Sequence, residues 1–130
     1  MLALMQRNIA LNHLASKVTA EIYDWGTAVP RTISQRFQAK GLQWHPDVIL
    51  AADCVYFEPA FPLLLQTLGD LMGLETVCYF CFKKRRKADW RFIKQMQKQF
   101  DTQLISYEGR ESDQRDGIYL YIVRRKSSSS

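Results

Sequence analysis

A short apolar run that ends abruptly in a carboxylate constrains this fold more than any other stretch of the sequence. Val48–Ala52 contains only aliphatic residues, Asp53 follows it directly, and Tyr56 comes three residues later. Such a run is typical of a parallel strand that is buried on both faces. In open α/β sheets, ligands bind at the edge formed by the carboxyl ends of the strands. The run therefore predicts an α/β fold with Asp53 and Tyr56 at its functional edge.

Helical and strand patterns alternate along the chain. Apolar residues recur at helical spacing in the segments 1–14, 30–40, 59–73 and 89–100. Asp89 is the predicted N-cap of the last helix. Strand patterns occupy the segments 18–23, 47–53, 76–82, 102–107 and 118–124, and the last two are joined by a polar loop, 108–117. This order predicts a mostly parallel sheet with helices on its faces and an antiparallel strand pair at one edge.

A length of 130 residues limits the chain to a single domain. We expect that domain to occupy residues 1–126, followed by a disordered serine tail at 127–130. The composition, 47% hydrophobic and 24% charged, is typical of a soluble globular protein, and no apolar run approaches the ~20 residues of a membrane span. The first residues lack the features of a signal peptide. We therefore expect a cytosolic or nuclear protein and assign it to the cytoplasm.

The three cysteines, an odd number, argue against a disulfide framework. Cys78 and Cys81 have the spacing of a metal-ligand pair, but they lie in a predicted strand, where residues three apart face opposite ways. We expect two small, buried apolar side chains there. His13 and His45 have no cysteine or carboxylate at ligand spacing, so no metal site is predicted.

Four stretches of the sequence carry a family resemblance through their order and spacing. They are Met5–Asn8 with Asn12, Asp24–Gly26, Ala51–Tyr56 and Lys83–Asp89. The chain resembles the C-terminal part of a seven-β-strand, S-adenosylmethionine-dependent methyltransferase. More narrowly, it is similar to the family 16 protein-lysine methyltransferases of the methyltransferase-21-like group, which includes fungal elongation factor methyltransferases. The resemblance covers almost all of residues 1–126.

The resemblance implies a cofactor site and a lysine site at the same edge of the sheet. S-adenosyl-L-methionine is the implied cofactor, bound by Asp24, Trp25, Ala52 and Asp53, with the Trp25 indole against the adenine. Asp53 and Tyr56 are the implied catalytic residues near the target lysine. A lysine must lose its proton before it attacks a methyl sulfonium, and a carboxylate and a hydroxyl can orient the resulting amine.

Two parts of the family pattern have no counterpart in this sequence. They are the glycine-rich loop after the family's first strand and the acidic residue that ends its second strand. The family's strand order, 3-2-1-4-5-7-6, then implies an incomplete Rossmann-like sheet of strands three to seven, in which 47–53 is an open edge. Such an edge is a candidate for self-association. We expect a truncated form, and whether it is active as an enzyme stays open.

The leading functional hypothesis is a protein-lysine N-methyltransferase whose substrate, by resemblance, is translation elongation factor 1-alpha. One alternative is a non-catalytic interaction module derived from a methyltransferase. Another is a basic RNA-associated domain that uses Lys83–Lys87 and Arg124–Lys126, although the aromatic residues form no evident stacking platform. The basic run could equally be a solvated loop or steer an acidic protein partner. Asp53 could be a turn residue, and Tyr56 and Trp25 could be core residues.

Overall fold

The structure, a computed structural model, describes residues 1–39 and 45–127, so most of the predicted serine tail lies outside the described residues. The helices are α1 (Leu2–Leu11), α2 (Arg31–Ala39), α3 (Phe61–Leu71), α4 (Lys87–Gln99) and α5 (Arg110–Arg115). The strands are β1 (Val48–Ala52), β2 (Val77–Lys83), β3 (Phe100–Leu104) and β4 (Ile118–Arg125). Within these ranges, none of the helices has both the length and the apolar character that crossing a membrane requires.

The strands form one mixed sheet in the order β1-β2-β4-β3. β1 and β2 are parallel, whereas β4 is antiparallel to both of its neighbours. The carboxyl ends of β1, β2 and β3 therefore lie at one edge of the sheet, together with the start of β4. This mixed α/β architecture, with an antiparallel final pair and with β1 at the side of the sheet, confirms the predicted fold class.

α3 and α4 pack on one face of the sheet and build the core. The β2 residues on that face are Cys78, Phe80 and Phe82, each at most 1% exposed. Phe80 stacks on Phe92 of α4 with 5.5 Å between the ring centroids, and Phe61 of α3 meets the same Phe92 ring edge-on at 5.3 Å. The apolar stripes predicted for these two helices are therefore confirmed as core-facing.

β1 is more exposed than its apolar sequence predicts. Leu50 is 79% exposed and Val48 is 53% exposed, and both lie on the sheet face opposite the core. Leu50 is level with Tyr79 of β2, which is itself 39% exposed. The prediction of a strand buried on both faces is wrong, because α3 and α4 cover only one face and the described residues leave Leu50 open to solvent.

The N-terminal segment, residues 1–39, is packed less tightly than the sheet. α1 forms where its helical spacing predicts it, yet none of its residues is buried. Ala20 is the one buried apolar residue among the positions before His45 whose burial the structure describes. The predicted strand 18–23 is wrong, since these residues adopt no regular structure. No described strand hydrogen-bonds with them, and an isolated extended segment is not stable as a strand.

Three further boundaries differ from the predicted ones. α4 begins at Lys87, so Asp89 is not its N-cap: Arg86 is, and Asp89 occupies the third helical position. The polar loop predicted over 108–117 contains the short helix α5. The predicted strand 102–107 is replaced by β3, which starts directly after α4. The predicted end of the second helix, at residue 40, lies outside the described residues.

Candidate functional site

Asp53 follows the carboxyl end of β1 directly, and its side chain points away from the core. Its backbone adopts the left-handed conformation with φ +56°, which Asp tolerates better than most residues. Its N–H donates to the Cys81 carbonyl of β2 at 3.2 Å. The Asp53 carboxylate is 68% exposed. Asp53 is therefore a turn residue by its backbone, and its carboxylate faces solvent at the sheet edge.

Trp25 and Tyr56, which come from separate parts of the chain, meet near this edge. Their ring centroids lie 6.3 Å apart, and the ring planes are inclined by 53°. Trp25 is half-buried and packs against the core, whereas Tyr56 is 59% exposed. The interpretation as core residues therefore holds in part for Trp25 and is wrong for Tyr56.

A tight turn holds Trp25 next to α3. Gly26 has φ +86°, and its N–H donates to the hydroxyl of Thr67 at 2.8 Å. A Cβ at position 26 would lie 2.5 Å from Cδ2 of Leu63, so glycine alone fits there without a shift. Asp24 precedes Trp25 in this turn, and its side chain is exposed. The turn thus ties the N-terminal segment to α3 at the position of Trp25.

Two consecutive arginines between β2 and α4 reach the candidate site. Nη2 of Arg85 lies 2.9 Å from a carboxylate oxygen of Asp53. Nη2 of Arg86 donates to the backbone carbonyl of Tyr56 at 2.7 Å. Sequence reasoning missed both contacts, because a run of cations does not indicate which acceptors it meets. The predicted site residues Asp53 and Tyr56 are therefore both held by one connecting segment.

A comparison with known protein families identifies the family of the chain. A family model described as lysine methyltransferase matches residues 1–99, which include every residue named at this edge so far. The chain belongs to the lysine methyltransferase family. The resemblance inferred from the sequence is therefore confirmed.

Relatives from this family match most of the length of the chain. Protein-lysine N-methyltransferase EFM6 of Saccharomyces cerevisiae is 34% identical over 129 residues, covering 97% of this chain and 52% of the relative. Protein N-lysine methyltransferase METTL21A of Danio rerio is 34% identical over 128 residues, covering 95% and 56%. EEF1A lysine methyltransferase 3 of Mus musculus is 31% identical over 113 residues, covering 85% and 47%. The chain spans about half the length of these relatives.

S-adenosylmethionine is the general methyl donor of lysine methyltransferases, and the described residues fit one end of it. The half-buried Trp25 indole beside the exposed Tyr56 ring is an aromatic surface suited to an adenine. Ala52, the last residue of β1, is exposed at the same edge. The glycines described near this edge, such as Gly26 and Gly117, sit in separate turns, so the described residues provide no glycine-rich cradle for the methionine end.

The cysteines of the chain are suited to packing. Burial raises the pKa of the Cys54 thiol, and it raises the pKa of Cys78 to about 12. Cys81 lies on the opposite sheet face from Cys78, as predicted for residues three apart in a strand. The prediction that Cys81 is buried is wrong, because its side chain is only half-buried. Metal binding and nucleophilic attack need a thiolate, which a raised pKa disfavours. No group of three or more potential metal ligands occurs in the part of the chain that the structure describes.

Proposed function

We propose that this chain carries the lysine-facing edge of an S-adenosyl-L-methionine-dependent protein-lysine N-methyltransferase. One observation supports the proposal most: the Asp53 carboxylate, the Tyr56 phenol and the Trp25 indole lie at one sheet edge in a member of this family. In the proposal, Asp53 and Tyr56 are the catalytic residues that contact the target lysine. Asp24, Trp25, Ala52 and Asp53 contact the cofactor, with the indole against the adenine.

These residues suit the chemistry of lysine methylation. A protein lysine is an ammonium in water and becomes a nucleophile only after it loses a proton. The Asp53 carboxylate can accept a hydrogen bond from the amine, and the Tyr56 hydroxyl can orient it. The Arg85 guanidinium, 2.9 Å from Asp53, adds a positive charge that disfavours the ammonium form of an adjacent lysine. When bound, S-adenosylmethionine supplies an electrophilic methyl group.

We extend the proposal to a protein substrate, with translation elongation factor 1-alpha as the first protein to test. The relative from Mus musculus that is 31% identical is named EEF1A lysine methyltransferase 3. Three exposed lysines lie at the end of β2 or shortly after it, at the same edge, namely Lys83, Lys84 and Lys87. Their positive charge would attract an acidic surface around a target lysine. A cytoplasmic location belongs to the same proposal, since translation takes place there.

A non-catalytic interaction module is the second candidate. Two observations favour it: the open face of β1, where Leu50 is 79% exposed, and the match to about half of each relative. β1 is also an edge strand of the described sheet, which makes self-association a part of this second candidate. An RNA-associated role has less support, because Arg85 and Arg86 of the basic run already contact the carboxylates of Asp53 and Asp89.

Calorimetric titration of the chain with S-adenosylmethionine or S-adenosylhomocysteine separates the two candidates. The enzyme requires a dissociation constant in the micromolar range. An absence of heat at millimolar ligand would support the interaction module instead.

Transfer of a labelled methyl group to elongation factor 1-alpha then tests Asp53 itself. Asp53→Asn should abolish transfer with little loss of unfolding free energy, because asparagine tolerates the left-handed backbone equally well. The matched control is Asp47→Asn, which neutralises an exposed carboxylate next to the opposite end of β1 and should leave transfer unchanged. Transfer that persists in Asp53→Asn would remove Asp53 from the proposed mechanism.

A further inference from the structure

A buried carboxylate next to the candidate site connects to both arginines. Asp89 is 0% exposed. Its Oδ2 accepts the backbone N–H of Arg85 at 2.9 Å and that of Arg86 at 3.1 Å. Its other oxygen, Oδ1, lies 3.3 Å from Nη2 of Arg86. The carboxylate therefore fixes the backbone of both arginines and the side chain of one.

The arginines in turn contact the two residues proposed to act on lysine. The Nη2 atom of Arg86 that meets Asp89 also donates to the carbonyl of Tyr56. The adjacent Arg85 side chain pairs with Asp53. We name Arg85, Arg86 and Asp89 the arginine brace. The buried Asp89 carboxylate thereby fixes the backbone from which two arginine side chains extend to Asp53 and Tyr56.

We propose that Asp89 is a positioning residue that holds the arginine brace, so that Arg85 and Arg86 keep Asp53 and Tyr56 in place for methyl transfer. This inference rests on the proposed function of the sheet edge. Asp89 acts through the two arginines, whose side chains make the contacts with the proposed site. A displacement of about 1 Å in such a site can lower turnover on the order of 100-fold, so a remote brace can matter for the rate.

A simpler role for Asp89 is to cap the start of α4. A cap needs only the bonds from Oδ2 to the backbone N–H groups of Arg85 and Arg86, which are unpaired donors just before the helix begins. The contact between Oδ1 and the Arg86 side chain is charge-assisted and contributes nothing to capping. Asparagine separates the two roles. Its amide oxygen still accepts from the backbone, but its NH2 group cannot accept a hydrogen bond from Arg86.

Asp89→Asn is therefore the test variant, and Lys87→Gln is the matched control. Lys87 is the first residue of α4 and is exposed, so its neutralisation changes the charge next to the brace without removing any of the brace contacts. In NMR spectra of the full 130-residue chain, Asp89→Asn should shift the amide signals of Asp53 and Tyr56. Lys87→Gln should leave both signals in place.

Kinetics provide the second readout. Asp89→Asn should lower kcat on the order of 100-fold and change the KM for S-adenosylmethionine by much less, because the brace meets only Asp53 of the four proposed cofactor contacts. A purely capping role would leave both the NMR signals and kcat unchanged, and that outcome overturns the inference.

A second variant covers the case in which Asp89→Asn does not fold. Arg86→Met keeps the cap and removes the contact with the Tyr56 carbonyl, so it should shift the Tyr56 amide and lower kcat in the same way. Unchanged signals in Arg86→Met would equally overturn the brace. The NMR readout needs no methyl transfer, so a wild-type chain without activity would count against the proposed function, while the shifts would still decide on the brace.

Discussion

Two regions of this chain, the sheet body formed by β1–β4 with α3 and α4 and the N-terminal segment of residues 1–39, bury their apolar side chains to very different extents. In the sheet body, Phe80 and Phe92 are 0% exposed. In the N-terminal segment, Leu11 is 67% and Ile22 is 64% exposed. Both regions have apolar residues at regular spacing, so the difference in burial depends on whether another layer of the structure covers those residues. An amphipathic element becomes stable when another layer covers its apolar side.

The candidate site lies where the two regions join. Asp53 and Arg85 belong to the sheet body, whereas Trp25 belongs to the N-terminal segment and reaches Tyr56 from there. The joint depends on the turn at Gly26 and its bond to α3. A densely packed region and a loosely packed region therefore both contribute to the proposed cofactor surface, and a substitution in one region should affect that surface differently from a substitution in the other.

Truncation of a ring in the sheet body should have the largest effect on stability. Phe80→Ala removes a fully buried ring that stacks on Phe92, and it should lower the free energy of unfolding by about 3–5 kcal/mol. Leu11→Ala, the control in the N-terminal segment, removes an exposed side chain and should change it by less than about 0.5 kcal/mol. Urea unfolding followed by circular dichroism measures both values. An equal loss of unfolding free energy in the two variants would mean that the two regions are equally well packed.

A substitution at the joint should have an intermediate effect. Gly26→Ala adds a Cβ at φ +86° and 2.5 Å from Leu63, so it should cost about 2 kcal/mol. Gly109→Ala is the matched control, since Gly109 has φ +91° with nothing near the added Cβ, and it should cost about 1 kcal/mol. Gly26→Ala should also speed amide hydrogen exchange around Trp25. The same loss of unfolding free energy and the same rates of amide hydrogen exchange in both variants would show that the turn does not pack against α3.

Alkaline pH should weaken the sheet body by a smaller amount. Burial raises the pKa of the Cys78 thiol to about 12, so the folded chain keeps a proton that the unfolded chain releases at lower pH. The free energy of unfolding therefore falls as the pH rises above the ordinary pKa of a thiol. From about pH 9 to about pH 10, the free energy of unfolding of the unchanged chain should fall by up to about 1.4 kcal/mol more than that of the Cys78→Ala variant. Identical pH slopes in urea unfolding would contradict the burial of this thiol.

The same contrast explains which elements were predictable from the sequence. α3, α4 and β2 have apolar spacing that matches a layer they pack against, so the pattern and the structure agree. The segment 18–23 alternates weakly, and its state depends on a neighbouring strand that the local pattern cannot reveal. The exposure of Leu50 has the same origin, because an apolar strand does not show whether both of its faces are covered.

The residues of the candidate site could be predicted from the sequence, but the contacts that hold them in place could not. Asp53 and Tyr56 follow a strand end, and the family resemblance linked them to Trp25, so their common edge could be expected. The contacts of Arg85 and Arg86 could not be expected, because a run of positively charged residues does not indicate which acceptors its side chains will contact. Asp89 was predicted to cap α4 from the wrong position, and its hydrogen bonds with the backbone N–H groups of Arg85 and Arg86 depend on how the connection after β2 turns.

An NMR titration of the isotope-labelled chain with S-adenosylhomocysteine tests the central claim most directly. We expect the indole signal of Trp25 and the amide signals of Ala52 and Asp53 to shift together and to saturate at micromolar ligand. Val48, at the opposite end of β1, should not respond. Shifts confined to Val48 or to the α5 region, or no shift at millimolar ligand, would contradict a cofactor site at the Asp53 edge.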